Sequence, residues 1–329
     1  MRRLASALVF VSCALAACGG DDEPTSGSAS ASAEPVVIQH AFGETEVPAD
    51  VDRVVTWGWG SADAAIAVGV MPVAIPFDDY AGDDEGVLPW IREEIGDGDV
   101  PAVLPNTEDV PFEAIAAARP DVILAVYSGI SQEEYELLSD IAPTVAYPEV
   151  AWSTPWRDTI EIVGTALGRS DEAAAVLDEI DATVAEEAEA HPELAGKTVA
   201  AVWDSAGTFY VYKPADARVA FLLDLGLASA PSVEALQTDE STFFFTLSYE
   251  RLAELESDIV VSYADTEEQQ QTFLGSEHGR LLPAVQWGAV ASVVGTELIA
   301  SVSPPTALSV TWGLDELVAA LSEAVAAGG

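Results

Sequence analysis

Phe112-Glu113-Ala114-Ile115-Ala116-Ala117-Ala118-Arg119-Pro120-Asp121-Val122-Ile123-Leu124 has a counterpart far along the chain, Tyr249-Glu250-Arg251-Leu252-Ala253-Glu254-Leu255-Glu256-Ser257-Asp258-Ile259-Val260-Val261. In each, a glutamate opens a short helical stretch, an aspartate eight positions later closes it, and an apolar β-favouring run follows with a tyrosine close by (Tyr127, Tyr263). A helix feeding a buried strand is half of an α/β unit. The repetition predicts two α/β lobes built alike, each displaying one carboxylate at a helix N-terminus. Glu113 and Glu250 suit the local helix dipole, but capping alone does not explain why both lobes carry the residue in the same register.

Outward from these stretches, strand and helix patterns alternate. The first lobe is expected over residues 36–153: a hairpin of Val36-Val37-Ile38 with Phe42-Gly43-Glu44, a strand Arg53–Trp57, a helix capped by Ser61-Ala62-Asp63 and running to Gly69, and a strand Pro72–Ile75. An acidic loop, the first repeat copy, a helix over Gln132–Asp140 and a strand Thr144–Tyr147 complete it. Residues 154–195 read as a helical connector, Thr154–Leu167 and then Asp171–Ala190, with Val176, Leu177, Ile180 and Val184 on one face of the second helix. A helix of about 20 residues reaches about 30 Å, roughly a domain diameter. The second lobe, 196–329, opens with a strand Thr198–Trp203 turned by Asp204-Ser205-Ala206-Gly207 and continues through Phe209–Tyr212 and a helix Ala215–Leu225. After the second repeat copy come helices at Glu267–Leu274 and Gly279–Val285, strands at Ala289–Val294 and Leu298–Val302, and a terminal helix from Asp315.

The chain of 329 residues suits two cores better than one. At its front, Arg2 and Arg3 precede an apolar run that ends in Leu15-Ala16-Ala17-Cys18, too short to span a bilayer and followed at once by Gly19-Gly20-Asp21-Asp22. Residues 1–17 read as a secretory leader, and the small residues before Cys18 resemble the bacterial lipobox. That resemblance implies diacylation of Cys18, and two acyl chains make a stable anchor where one is marginal. Residues 18–35, rich in Ser, Ala, Gly and Asp, form a flexible tether. Cys13 leaves with the leader, so no internal disulfide can form. Without Arg2 and Arg3 the chain has 10 basic against 56 acidic residues, a net of −46. Such a field disfavours nucleic acid and anionic membrane surfaces and concentrates cationic solutes.

Catalytic constellations are missing from the sequence. His40, His191 and His278 are isolated, no Cys remains as a nucleophile, and neither a Gly-x-Ser-x-Gly elbow nor a phosphate loop occurs, so an enzyme is not expected. Asp78, Asp79, Asp83 and Asp84 read as a solvated loop rather than a calcium site. Trp57, Trp59, Tyr80, Tyr127, Trp152, Trp203, Tyr212, Tyr263 and Trp287 fall mostly at strand ends or just beyond, where α/β lobes line their ligand crevice. As a set they point to a bulky, partly apolar ligand. Arg280 is the cation assigned with them, and Lys213 is left open.

Several segments in order carry a resemblance to the substrate-binding lipoproteins of iron-siderophore ABC importers, the group that includes vitamin B12 and haem binders. They are Pro48–Val55, Gly69–Val73, Phe112–Ile123, Leu138–Val145 and Leu167-Gly168, then Leu247–Val261 and the Thr306–Asp315 tail. The resemblance implies a class III periplasmic-binding-protein-like fold, two α/β lobes joined by a single long helix, with limited hinge motion and a ligand between the lobes. It implies a ferric siderophore as ligand, iron bound only as the chelate with no other cofactor, a monomer, and Glu113 and Glu250 pairing with arginines of the permease. Catecholate binders of this kind place several arginines in the crevice, whereas several of the few cations here fall at helix or strand ends away from the aromatic loops, so a neutral or cationic hydroxamate chelate is expected. A cobalamin or haem carrier of the same transporter group is the alternative. A lipid-anchored hydrolase lacks a nucleophile and base, and a purely structural lipoprotein would not need the twin glutamates.

Overall fold

The computed structural model describes residues 35–107, 109–238 and 241–329. The leader, Cys18 and all but the last residue of the tether lie outside these. The first lobe opens with a hairpin, β1 (Val36–His40) against β2 (Gly43–Val47), antiparallel with His40 opposite Gly43. Then follow β3 (Val54–Thr56), α1 (Ser61–Ala67), β4 (Ala74–Ile75), α2 (Pro89–Ile95), β5 (Ala102–Val103), α3 (Phe112–Ala118), β6 (Val122–Ala125), α4 (Gln132–Ser139) and β7 (Thr144–Ala146). The five strands from β3 onward form a parallel sheet in the order β5-β4-β3-β6-β7. β3, β6 and β7 are buried along their whole length, as all-parallel strands covered on both faces must be.

Two helices make the connector, α5 (Trp156–Ala166) and α6 (Ser170–Ala190). α6 buries Ala173, Ile180 and Val184, one stripe of the helix, and packs against α1 and α5 and, in the second lobe, against α7 and α12. That lobe contains β8 (Thr198–Ser205), β9 (Thr208–Tyr212), α7 (Ala217–Asp224), β10 (Ala228–Ser229), α8 (Pro231–Leu236), β11 (Phe244–Thr246), β12 (Ile259–Ala264), α9 (Glu267–Gly275), α10 (Pro283–Trp287), β13 (Val290–Val294), α11 (Thr296–Val302) and α12 (Ser309–Gly328). Its mixed sheet runs β11-β9-β8-β12-β13, with β10 beside the start of β8.

The repeat is structural as well as sequential. β6 lies beside β3 and β12 beside β8, each as a buried central strand. The closing aspartate has one task in both lobes. Asp121 Oδ2 accepts the amide N–H groups of Asp52 and Arg53 at 3.0 and 2.9 Å, and Asp258 Oδ2 accepts the Thr198 amide and hydroxyl at 2.7 and 2.8 Å. Each carboxylate thus satisfies backbone donors at the start of the neighbouring parallel strand, which otherwise have no ladder partner there. The helix of the second copy is a 3₁₀ turn over Tyr249–Glu254 rather than an α-helix.

Other expectations are corrected. Leu298–Val302 is not a strand but the core of α11. All five residues are buried, so no exposed position marks the helical period in the sequence. Gly279–Val285 is not one helix, because Leu282 adopts an extended conformation (φ −64°, ψ 123°) and Pro283 starts α10 at a position where its missing N–H costs nothing. The terminal helix begins at Ser309, not Asp315. Ser61 does not cap α1: Gly60 does, at φ +70°, and Ser61 lies inside the helix. β8 runs on to Ser205 and turns through Ala206 and Gly207, both at positive φ (50° and 78°), the I′ geometry that matches strand twist. The end of α11, the corner after it and the start of α12 also pack on the first lobe. Ala300, Leu308 and Trp312 join the cluster of Ala62, Ile66, Trp90 and Ile91.

Candidate functional site

The loops that follow β3 and β6 are locked together. Trp57 N–H donates to the Leu124 carbonyl and Trp59 N–H to the Tyr127 carbonyl, both at 2.9 Å. Gly58 permits this approach, since a Cβ there would stand 2.3 Å from the Tyr127 carbonyl oxygen. Trp152 lies across the same loops, its ring centroid 5.8 Å from that of Tyr127 and its indole over Gly129, where a Cβ would come within 2.0 Å of Nε1. Trp152 is 52% exposed, an aromatic plate facing solvent.

Between this plate and the second lobe runs a crevice of about 450 Å³, within the range of small-molecule sites. Tyr127, Trp152 and the start of α5 (Trp156, Arg157, Asp158) form one wall; Ala215–Arg218 and Ala220 with Thr242 and Phe243 form the other, and Pro304 closes the base. A second recess of about 350 Å³ shares Trp152 and is lined by Trp57, Trp59, Phe77 and Ile130 among others. At the rim, Asp78 Oδ1 accepts the amides of Tyr80 and Ala81 and so holds the acidic loop in a tight turn. The loop presents Tyr80, whose hydroxyl donates to Asp265 Oδ1 of the other lobe at 2.7 Å.

The charged centre is Asp216 and Arg218, at the start of α7. Asp216 caps the helix, accepting the Arg218 amide at 3.0 Å and Arg218 Nε at 2.7 Å on one oxygen. The guanidinium lies 3.7 Å over the Tyr212 ring and 5.7 Å from that of Tyr263, in cation–π geometry. Its side chain is 14% exposed, and Nη1 has no hydrogen-bond partner among the described residues. Burial works against the Arg218 charge, and Asp216 with the two phenol rings more than offsets it. Burial raises Asp216, which Arg218 opposes, and raises Tyr212 and Tyr263, so both phenols stay neutral. The crevice lining holds Arg157 and Arg218 against Asp158 and Asp216, an even balance. Arg157 is further engaged by Asp181 and Asp224 at 2.7 and 3.0 Å.

The structure therefore brings Trp57, Trp59, Tyr80, Tyr127, Trp152 and Tyr212 around or beside the crevice. Tyr263 is buried in β12 and acts from behind, against Tyr212 and Arg218; Trp203, next to it in β8, is half-buried with its ring 6.1 Å away. Two expected ligand residues lie elsewhere. Trp287 sits in α10 just before β13, at the amino ends of strands whose carboxyl ends carry Asp265. Arg280 is exposed in the 3₁₀ turn before it. Lys213 is buried, its Nζ donating to the carbonyls of Thr238 and Ser241 at 2.6 and 2.7 Å. Glu113 and Glu250 are exposed, one at the head of α3 and the other at the head of the 3₁₀ turn before β12. The sequence reading missed the Asp216–Arg218 pair. Its signal was the Asp-Ala-Arg cap, but only packing sets that cap beneath two tyrosines from other strands.

A family model described as periplasmic binding protein matches residues 54–293. The chain is 28% identical over 259 residues, 75% of its length and 74% of the relative's, to a Bacillus subtilis protein described as a probable siderophore-binding lipoprotein, YfiY. Among solved structures, Streptococcus pneumoniae PiaA in complex with ferrichrome is 35% identical, with a TM-score of 0.78 over 88% of this chain and 99% of that one. Staphylococcus aureus SirA complexed with staphyloferrin B, 24% identical with a TM-score of 0.68 over 85% of this chain and 96% of the other, shares the fold.

Proposed function

The chain belongs to the periplasmic binding protein family, whose members bind substrates without transforming them, and from that premise we propose that it captures a ferric siderophore of the hydroxamate type and delivers it to an ABC importer permease. The observation that carries this reading is the Asp216–Arg218 pair beside an aromatic crevice. A ferric tris-hydroxamate core is electrically neutral, because each hydroxamate oxygen pair brings one negative charge against the trivalent iron. It still presents oxygen acceptors, and the part-exposed Arg218 guanidinium borders the crevice to meet them while Asp216 keeps the local balance even. A ferric tris-catecholate carries three net negative charges, and a crevice with no surplus of cations in a strongly acidic chain opposes it. Tyr127, Trp152 and Phe243 supply rigid apolar walls for the chelate's backbone. The ferrichrome complex of PiaA agrees with this class of ligand.

Glu113 and Glu250, exposed and without side-chain partners among the described residues, serve as docking knobs for permease arginines in this reading. Two pairs set far apart orient a complex even where each contributes little. Cys18 carries the lipid anchor, and among the described residues no helix is long and apolar enough to cross a membrane. A Cys18→Ser chain is then expected in the soluble fraction rather than with membranes. The ligand is tested by tryptophan quenching with ferrichrome, ferrioxamine B, a ferric catecholate, cobalamin and haem. Saturable binding of a hydroxamate chelate with no catecholate response is expected. Tight catecholate, cobalamin or haem binding without a hydroxamate response overturns the reading.

A further inference from the structure

Asp63 is 1% exposed in the first turn of α1, yet no part of the ligand reading uses it. Its Oδ1 accepts the Trp90 indole N–H at 2.6 Å and the Thr306 hydroxyl, the second from the segment between α11 and α12. Thr306 is itself wired into the start of α12. Its amide donates to Ser309 Oγ at 2.8 Å, its hydroxyl oxygen accepts the Ser309 amide at 3.1 Å, and Ser309 Oγ donates to the Ser301 carbonyl at 2.7 Å. Two residues before Thr306, the Pro304 carbonyl accepts Trp59 Nε1–H at 3.1 Å, and Pro304 borders the crevice. Trp312 of α12 meets Trp90 with ring centroids 5.7 Å apart. One buried carboxylate of the first lobe thus holds the corner of the second lobe that forms the base of the crevice.

We propose that Asp63 is a positioning residue for ligand binding: by holding Thr306 it pins the 303–309 corner to the first lobe and fixes the Trp59–Pro304 base on which the ligand rests. The ligand half of this inference depends on the proposed function; the pin does not. Asp63→Ala removes the acceptor of both bonds and endangers folding, so Thr306→Val, which deletes the hydroxyl that donates to Asp63 and accepts the Ser309 amide at nearly constant volume, and Asp63→Asn, whose amide oxygen still accepts both bonds, accompany it. A cavity of about 30 Å³ beside Asp63 leaves room for a water to serve the new amide N–H.

Hydrogen exchange on the ligand-free chain reads the Val310 amide and the Trp59 indole N–H, whose acceptors are the Thr306 and Pro304 carbonyls, with β12 amides as the internal reference. Loss of the buried Thr306–Asp63 hydrogen bond predicts about tenfold faster exchange at those sites in Thr306→Val, no change in β12, and rates within about threefold of wild type in Asp63→Asn. Ferrichrome titration is expected to show affinity weakened about five- to tenfold in Thr306→Val through faster release, and kept within about threefold in Asp63→Asn. Unchanged exchange at the corner, or an equal rise in β12, overturns the pin. Unchanged ferrichrome affinity in Thr306→Val overturns the positioning role. If the wild-type chain binds no chelate, the functional reading fails, while exchange at Trp59 still decides whether Asp63 sets the base of the crevice.

Discussion

Replacing Arg218 with methionine keeps most of the side-chain length and removes the charge. The structure gives two separable consequences. In the free protein, Asp216, whose side chain is 7% exposed, loses the guanidinium that offsets its burial. Breaking a buried pair from one side costs about 3–5 kcal/mol, and the lost stacking on Tyr212 adds up to about 2 kcal/mol. Arg218→Met alone is therefore strongly destabilised, and adding Asp216→Asn, which removes the orphaned charge, recovers a large part of the loss. In the complex, the ligand loses a charge-assisted hydrogen bond, about 1.5–3 kcal/mol, or roughly 10- to 150-fold in Kd. The double variant separates the two effects, since it is the folded one and still has no guanidinium. Denaturant unfolding followed by circular dichroism gives the first quantity, and ferrichrome titration by tryptophan quenching gives the second. Ferrichrome bound by the double variant within about threefold of wild type would refute the role of Arg218 in holding the chelate. A single variant as stable as the double would refute the charge argument.

Glu113→Ala and Glu250→Ala are expected to leave chelate affinity unchanged while reducing uptake of iron-labelled chelate by cells, most of all when combined; normal uptake by the combined variant removes their docking role. The Thr198 amide and hydroxyl hold Asp258 below the usual carboxylate range. A depressed folded pKa means that this stability is present above the unfolded value of about 4 and is lost as pH falls through the folded one. Asp258→Asn should therefore cost about 1 kcal/mol at neutral pH, a low figure because the residue is exposed, and should flatten the acid side of the stability profile measured by thermal melts. Gly129→Ala drives a Cβ into the Trp152 indole, so the tryptophan emission of the free protein should shift and ferrichrome affinity fall several-fold, about 1 kcal/mol of lost aromatic contact. An unshifted spectrum with wild-type affinity would show that Trp152 is not seated on Gly129.

Where sequence reading succeeded, one local signal was enough. Val122–Ala125 is apolar at every position and Ile259–Ala264 at all but Ser262, and all ten residues are buried, as only a central parallel strand consumes such a run. α6 showed its stripe because one face meets the protein and the rest meets water. Leu298–Val302 failed on the same logic, since a helix buried all round shows no stripe. The aromatic list mixed three fates: crevice wall for Tyr127 and Trp152, interior for Tyr263, and the far end of the sheet for Trp287. Tryptophan and tyrosine are amphipathic enough to suit all three.

The linear chain by itself determined the duplicated α/β architecture, the connecting helix and the twin exposed glutamates, because these rest on periodicity and on spacing within about a dozen residues. Tertiary structure alone decided that Arg218 borders the crevice, that Asp216 pairs with it, and that Asp63 reaches a threonine 243 positions away. A buried charge or hydrogen bond is settled by what folds around it, and those partners arrive from strands and corners that no local pattern places together.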